Sequence, residues 1–300
     1  MERVLEINSL TKKFGRITAV DSLDLTVEKG SVFGILGPNG SGKSTTLGMI
    51  LGVVNPVSGN FKWFNGDQDH KVRRRIGAIL ESPCFYHYLS ANNNLKVVAE
   101  IKKVDTARIE VVLDRVGLLS RKNDPFSTYS LGMKQRLAIA SALLSDPEVM
   151  ILDEPTNGLD PQGIADIREL IIDLANEGRT IILASHLLDE VQRICTDFAV
   201  LRHGKKIFQG KVADLDQDKT NVEVRSNDTD RLSAYLSGSP FIASFRKEGS
   251  NFKLVLNPGI EITDFHRDLI GNDIVLNKLH VNTNTLEQKF LQLLKSESNA

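Results

Sequence analysis

Gly37-Pro38-Asn39-Gly40-Ser41-Gly42-Lys43-Ser44-Thr45 is the stretch on which the reading of this chain turns. Its glycines let consecutive backbone N–H groups turn inward around phosphate oxygens. Lys43 has the reach for the outer phosphates, and the Ser44 hydroxyl is a ligand for Mg²⁺. The bland alternative is a glycine turn that arose by chance. The flanks weigh against it: Ser31-Val32-Phe33-Gly34-Ile35-Leu36 is a short apolar run suited to a buried strand. Residues 43–51 place Leu47, Ile50 and Leu51 at helical spacing. Strand, loop and helix start follow in the required order, so a helix dipole is added to the anion site. The pattern predicts a bound nucleoside triphosphate, ATP or GTP.

Composition narrows the class. Three hundred residues imply two domains, or one large domain with an appendage. A formal charge of −1 provides no global basic field, so no nucleic-acid partner is expected. The basic run Lys71, Arg73, Arg74, Arg75 is local and reads first as a solvated face. Cys84 and Cys195 lie far apart without metal-like spacing, which suits two reduced thiols in the cytoplasm. Met1-Glu2-Arg3-Val4 opens no signal core, and no run of eighteen apolar residues occurs. The chain is not expected to cross a membrane by itself, though it can sit against one.

Residues 4–7 and 23–27 read as strands, as do 61–64 and 76–80; from about 85 to 145 the pattern turns helical. Val111, Val112, Arg115 and Val116 suit one helix there, and Leu137, Ala138, Leu143 and Leu144 another. Strands and helices then alternate to about residue 210, which implies a largely parallel α/β sheet carrying a helical insertion. A polar boundary at 214–220 separates domains 1–215 and 216–300. The second reads β-α-β-β-α-β, the ferredoxin-like order, with a closing helix over Leu286, Phe290, Leu293 and Leu294.

Val149-Met150-Ile151-Leu152-Asp153-Glu154-Pro155 supplies what a phosphate loop lacks. Asp153 leaves the carboxyl end of an apolar strand, where it can bind Mg²⁺ directly or through water. Glu154 points elsewhere and is placed to polarise an attacking water. The competing reading is a strand that merely ends on Asp-Glu-Pro. Between the two motifs, Ser130 and Gly132 open a helix, a second small anion site.

The set and its order resemble the ATP-binding subunit of ABC transporters over nearly all of residues 1–215. The series is the phosphate loop, the Glu81 region, Ser130-Leu131-Gly132-Met133-Lys134, Asp153-Glu154, Gly158-Leu159-Asp160 and Ala184-Ser185-His186. The resemblance implies a P-loop ABC ATPase domain with an antiparallel β subdomain, plus a small α+β accessory domain. It implies ATP and Mg²⁺ as cofactors, the metal on Ser44, Asp153 and Glu81. Phe14 matches the aromatic that stacks on adenine, against the alternative of a core phenylalanine. Gly37 to Thr45 would hold the phosphates, Lys43 as their clamp, with Glu154 as base and His186 at the γ-phosphate. Ser130 and Gly132 would touch the γ-phosphate of ATP bound to a second copy, and Asp160 would couple the two sites. The partners implied are a homodimer joined through ATP and a separate membrane permease, at the inner face of the cell membrane.

Two departures from the family pattern stand out. Glu81 replaces the usual glutamine, keeping an oxygen for the metal but adding charge and losing an amide donor. The usual Leu-Ser-Gly-Gly-Gln signature reads Tyr129-Ser130-Leu131-Gly132-Met133, which keeps the serine and the second glycine. Both departures resemble the branch of bacitracin, lantibiotic and related antibiotic exporters, as does the ending Leu286-Glu287-Gln288-Lys289-Phe290. Phe85-Tyr86-His87-Tyr88 suits either a docking groove for the permease or ordinary packing. The expectation is an ATPase subunit that powers export. The alternative is a soluble ABC ATPase of translation or DNA.

Overall fold

The computed structural model describes residues 2–66, 70–80, 84–216, 221–257 and 259–282. The chain forms two compact units, parting between Val212 and Ala213.

In the first unit, β1 (Arg3–Phe14) and β2 (Ile17–Glu28) form a long hairpin, and β3 (Val32–Leu36) runs into the glycine loop. Then come α1 (Lys43–Ile50), β4 (Ser58–Trp63) and β5 (Ile76–Ile79). The helical insertion holds α2 (Ala91–Lys102), α3 (Arg108–Arg115) and α4 (Leu131–Leu143). It is followed by β6 (Val149–Asp153), α5 (Pro161–Asn176), β7 (Thr180–Ser185) and α6 (Leu188–Ile194). The hairpin β8 (Asp197–Arg202) and β9 (Lys205–Lys211) ends the unit.

Strands β3, β6 and β7 are buried along their whole length, which is why they read as unbroken apolar runs. They belong to a six-stranded sheet in the order β5-β6-β7-β3-β8-β9, parallel except for the β9 edge. A second, antiparallel sheet has the order β2-β1-β4. Its inward residues Leu5, Ile7, Leu23 and Leu25 share one core with Phe33, Ile35, Leu47, Ile151 and Ile182.

The hairpin is longer than the alternation of residues 4–7 and 23–27 predicts. Register shifts between Ile7 and Leu10 and between Leu10 and Lys12 break the period of two. Ser9 and Ser22 take positive φ there, and their N–H groups donate to Asp24 Oδ1 and Thr11 Oγ1. In the insertion, α3 buries Val112 on itself and Val116 just beyond, but leaves Val111 66% exposed.

The second unit opens with α7 (Ala213–Asp216) and β10 (Asn221–Ser226), followed by α8 (Thr229–Gly238) and β11 (Ile242–Glu248). It continues with β12 (Asn251–Leu256), α9 (Ile262–Gly271) and β13 (Leu276–Asn282). The sheet order β11-β12-β10-β13, antiparallel throughout, inserts β12 into the β10-α8-β11 unit. Leu232 and Leu236 of α8 and Phe265 and Leu269 of α9 bury against Val222, Val224, Phe252 and Leu254. The closing helix expected over Leu286, Phe290, Leu293 and Leu294 lies outside the described residues. Among the described residues no helix is long and apolar enough to cross a membrane.

Candidate functional site

Three neighbouring strands deliver three loops to one edge of the large sheet. Strand β7 lies between β3 and β6, with Leu36 opposite Ser185 and Asp153 opposite Ala184. The glycine loop, His186 and Glu154 therefore leave adjacent carboxyl ends, where open α/β sheets take up ligands. Backbone bonds stitch the ends together: Gly37 N donates to Ser185 O at 3.3 Å, and Glu154 N to Ala184 O at 2.9 Å.

The loop is tight enough to require its glycines. A Cβ on Gly37 would lie 2.4 Å from Leu201 O, and one on Gly42 would lie 2.5 Å from Ala19 O. Gly42 caps α1 at φ 104°, with no side chain to satisfy the orphan N–H groups of the first turn. Such donors suit an anion. Ser41 Oγ is buried in the same loop without a hydrogen bond among the described residues.

Lys43 spans this cradle. Its Nζ donates to Gly37 O at 2.8 Å and lies 3.3 Å from Glu154 Oε1. Glu154 reaches that position because its φ is +49°, a left-handed step after the extended Asp153. Its Oε2 meets His186 Nδ1 at 2.7 Å. With the carboxylate oxygen as acceptor, Nδ1 is the donor of this pair and Nε2 lies outside it. Lys43, Glu154 and His186 form one cluster.

Ser44 stands one residue beyond Lys43 in α1, and Asp153 is buried at the end of β6. Among the described residues no group of three or more His, Cys, Asp or Glu gathers to hold a metal. A hydroxyl and one carboxylate fit Mg²⁺ that arrives with a nucleotide, since this ion keeps water and phosphate oxygens as its other ligands. Glu81, the third expected metal ligand, lies outside the described residues.

The other expected residues stand apart from this cluster. Ser130 caps α4, its Oγ accepting from Met133 N at 3.3 Å, and Asp160 caps α5, accepting from Gly163 N at 3.0 Å. Ser130, Gly132, Gly158 and Asp160 line a cleft of about 490 Å³ whose walls include no residue of the glycine loop. An ion pair from Arg136 to Asp166 joins α4 to α5. Phe14 sits at the tip of the β1–β2 hairpin, 51% exposed with Lys12 Nζ 5.0 Å from its ring centre, so it is not a core residue. In the aromatic run Phe85 and His87 touch Phe126, and Tyr86, His87 and Tyr88 are all exposed. Buried Asn94 holds that loop through Tyr86 N and O, Leu89 O and Ser90 O.

Thr156, Ser185 and Glu190 were not singled out as site residues by the sequence patterns. Glu190 is buried behind the cluster, where Thr156 donates to its Oε1 and Ser185 Oγ to its Oε2 at 2.6 Å. Burial pushes its carboxyl above the ordinary range; the Ser185 hydrogen bond opposes this, and the Glu154 charge adds to it. An acidic residue in the first turn of a helix reads as a macrodipole partner, which hid it.

Known proteins match this arrangement. Residues 20–157 match the family described as ABC transporter. The bacitracin transport ATP-binding protein of Enterococcus faecalis is 33% identical over 98% of this chain and 97% of its own length. A lantibiotic transport ATP-binding protein of Streptococcus pyogenes is 40% identical over 69% of this chain and 90% of its own. A dimeric ATP-binding cassette in a post-hydrolysis state, bound to ADP and Pi, aligns with a TM-score of 0.63. That cassette is 27% identical, covering 69% of this chain and 98% of that one. Identity at this level across the full length of a relative makes the chain a member of the ABC transporter family, one of its ATP-binding ATPases.

Proposed function

We propose that this chain hydrolyses ATP to drive export of a peptide antibiotic or similar small molecule through a separate membrane permease. The observation that carries the reading is the Lys43–Glu154–His186 cluster, assembled across three adjacent strand ends. Lys43 donates to Gly37 O and pairs with Glu154. Phosphate oxygens compete for the same ammonium, so ATP binding draws Lys43 away and leaves Glu154 Oε1 free to accept a proton. Glu154 then takes that proton from the water that attacks the γ-phosphorus, and the bridging oxygen leaves with ADP. His186 is anchored through Nδ1, and a contact from Nε2 to a γ-phosphate oxygen requires a proton on Nε2 as well, since that oxygen only accepts. Ser44 and Asp153 would hold Mg²⁺, with Glu81 as the expected third donor. When bound, the ion spreads the charge that develops on the β- and γ-oxygens.

The second half of the site is supplied by a second copy of the chain. Gly132 lies in the first turn of α4, and no positive φ requires glycine there. Its added Cβ would meet nothing within 4 Å. A glycine that its own fold does not require supports close approach by something outside the chain. Ser130 and Gly132 of one copy would meet the γ-phosphate held by the other, with Asp160 coupling the pair and Phe14 stacking on adenine. Tyr86 and Tyr88, exposed on a loop that Asn94 stiffens, are the proposed contact for the permease at the cytoplasmic face of the membrane. The unit beyond Val212 is read as an accessory domain. Transport descriptions of full-length relatives favour this reading over a soluble ATPase of translation or DNA.

The deciding experiment is Glu154→Gln. Turnover measured by phosphate release should fall about 10²-fold or more, the scale of a lost general base. ATP affinity should be retained, and ATP should now trap a dimer in sedimentation. Wild-type turnover in this variant would end the assignment.

A further inference from the structure

Glu190 is 2% exposed and takes no part in the chemistry above. A carboxylate is buried only where donors satisfy its oxygens, and both of its oxygens are satisfied. Thr156 donates to Oε1, and Ser185 donates to Oε2 at 2.6 Å. Thr156 stands two residues after Glu154, and Ser185 immediately before His186. Ser185 Oγ also accepts from Leu187 N at 3.0 Å, so one hydroxyl binds the backbone just past His186 as well. Both donors are themselves buried, which leaves them little alternative to this acceptor.

We propose that Glu190 is a positioning residue for ATP hydrolysis. It ties the loop that carries Glu154 to the loop that carries His186 and so maintains their 2.7 Å pairing. A base and its partner on two separate loops need such a brace, because displacements near 1 Å cost about 10²-fold in rate. The inference rests on the reading of Glu154 and His186 as the reacting centre.

The test uses the full-length chain and two substitutions of similar size. Glu190→Leu removes both acceptors. Glu190→Gln keeps one acceptor and adds an amide donor, to which a Thr or Ser hydroxyl can turn its lone pair. Glu190→Leu should lower kcat about 10- to 100-fold with KM for ATP within about twofold of wild type, the signature of lost geometry rather than lost binding. Glu190→Gln should recover most of that loss. Adding Thr156→Val to Glu190→Leu should cost nothing further, because the arm it removes is already broken. Nitrogen-15 imidazole spectra provide a readout independent of turnover. The His186 Nδ1–H form should persist in wild type and Glu190→Gln and give way to a tautomer mixture in Glu190→Leu.

Wild-type kcat and an unchanged His186 spectrum in Glu190→Leu would overturn the proposal, as would equal losses in the Gln and Leu variants. Should Glu190→Leu not fold, Thr156→Val and Ser185→Ala, each removing one arm, take the same measurements. A lowered kcat with an altered His186 spectrum in either one supports the brace, and wild-type values in both overturn it. Failure of the underlying reading looks different: there Glu154→Gln itself turns over normally. A slow Glu154→Gln beside a fast Glu190→Leu sinks only the brace.

Discussion

Helices α1 and α4 both start at glycine-bearing turns, and their glycines answer to different constraints. Gly42 sits at φ 104°, and its Cβ would press on the backbone oxygen of Ala19. Gly132 has open space around it and no positive φ. The caps differ in the same sense. Gly42 offers the first turn of α1 no side chain, whereas Ser130 accepts the Met133 N–H of α4. One glycine is demanded by its own chain. The other is unexplained until something beyond the chain approaches it, which is how we read the γ-phosphate side of a second copy.

Substitution can break this comparison, starting with the largest effect on folding. Gly42→Ala should cost about 1–3 kcal/mol from backbone strain alone, before the Ala19 clash is added. Urea denaturation should record that loss, and ATP affinity should fall with it. A Gly42→Ala protein of unchanged stability and affinity would mean that the loop opens freely. Ser130→Ala should cost about 1 kcal/mol, the usual worth of a serine cap. The loss should appear in the same denaturation series without ATP. Gly132→Val should be the mildest, within about 0.5 kcal/mol of wild type, because helix propensity is the only term that changes. Yet in a Glu154→Gln background it should abolish ATP-dependent association by sedimentation. If Gly132→Val unfolds the subunit, the open space around Gly132 is misread; if it dimerises normally with ATP, the proposed contact is elsewhere.

The site was legible in parts. The glycine loop and Asp153-Glu154 were readable because a phosphate site needs fixed residue types at fixed spacing, whereas His186 was placed only by its position in the family resemblance. Continuous burial made β3, β6 and β7 equally plain. The hairpin was less so, since its shifts at Ser9 and Ser22 interrupt the alternation that marks a strand. Glu190 was not legible at all. Its role depends on two hydroxyls, one of them 34 residues away in the chain, and no local period encodes that distance. Phe14 stood between adenine stacking and the core until its exposure at a hairpin tip removed the second choice.

By itself the sequence determined the chemistry on offer: which residues can hold phosphate, which can take a proton, and which strands must be buried. These follow from residue type and short spacing, properties that survive without long-range contacts. Tertiary structure decided the neighbours. Only the insertion of β7 between β3 and β6 brings Lys43, Glu154 and His186 within hydrogen-bonding or ionic reach, and only the packing of α6 sets Glu190 behind them. The physical reason is that strand order in a parallel sheet is set by crossovers and side-chain burial over the whole unit. Gly132 marks where both descriptions stop: its own chain leaves open space around it, which we read as room for a second copy.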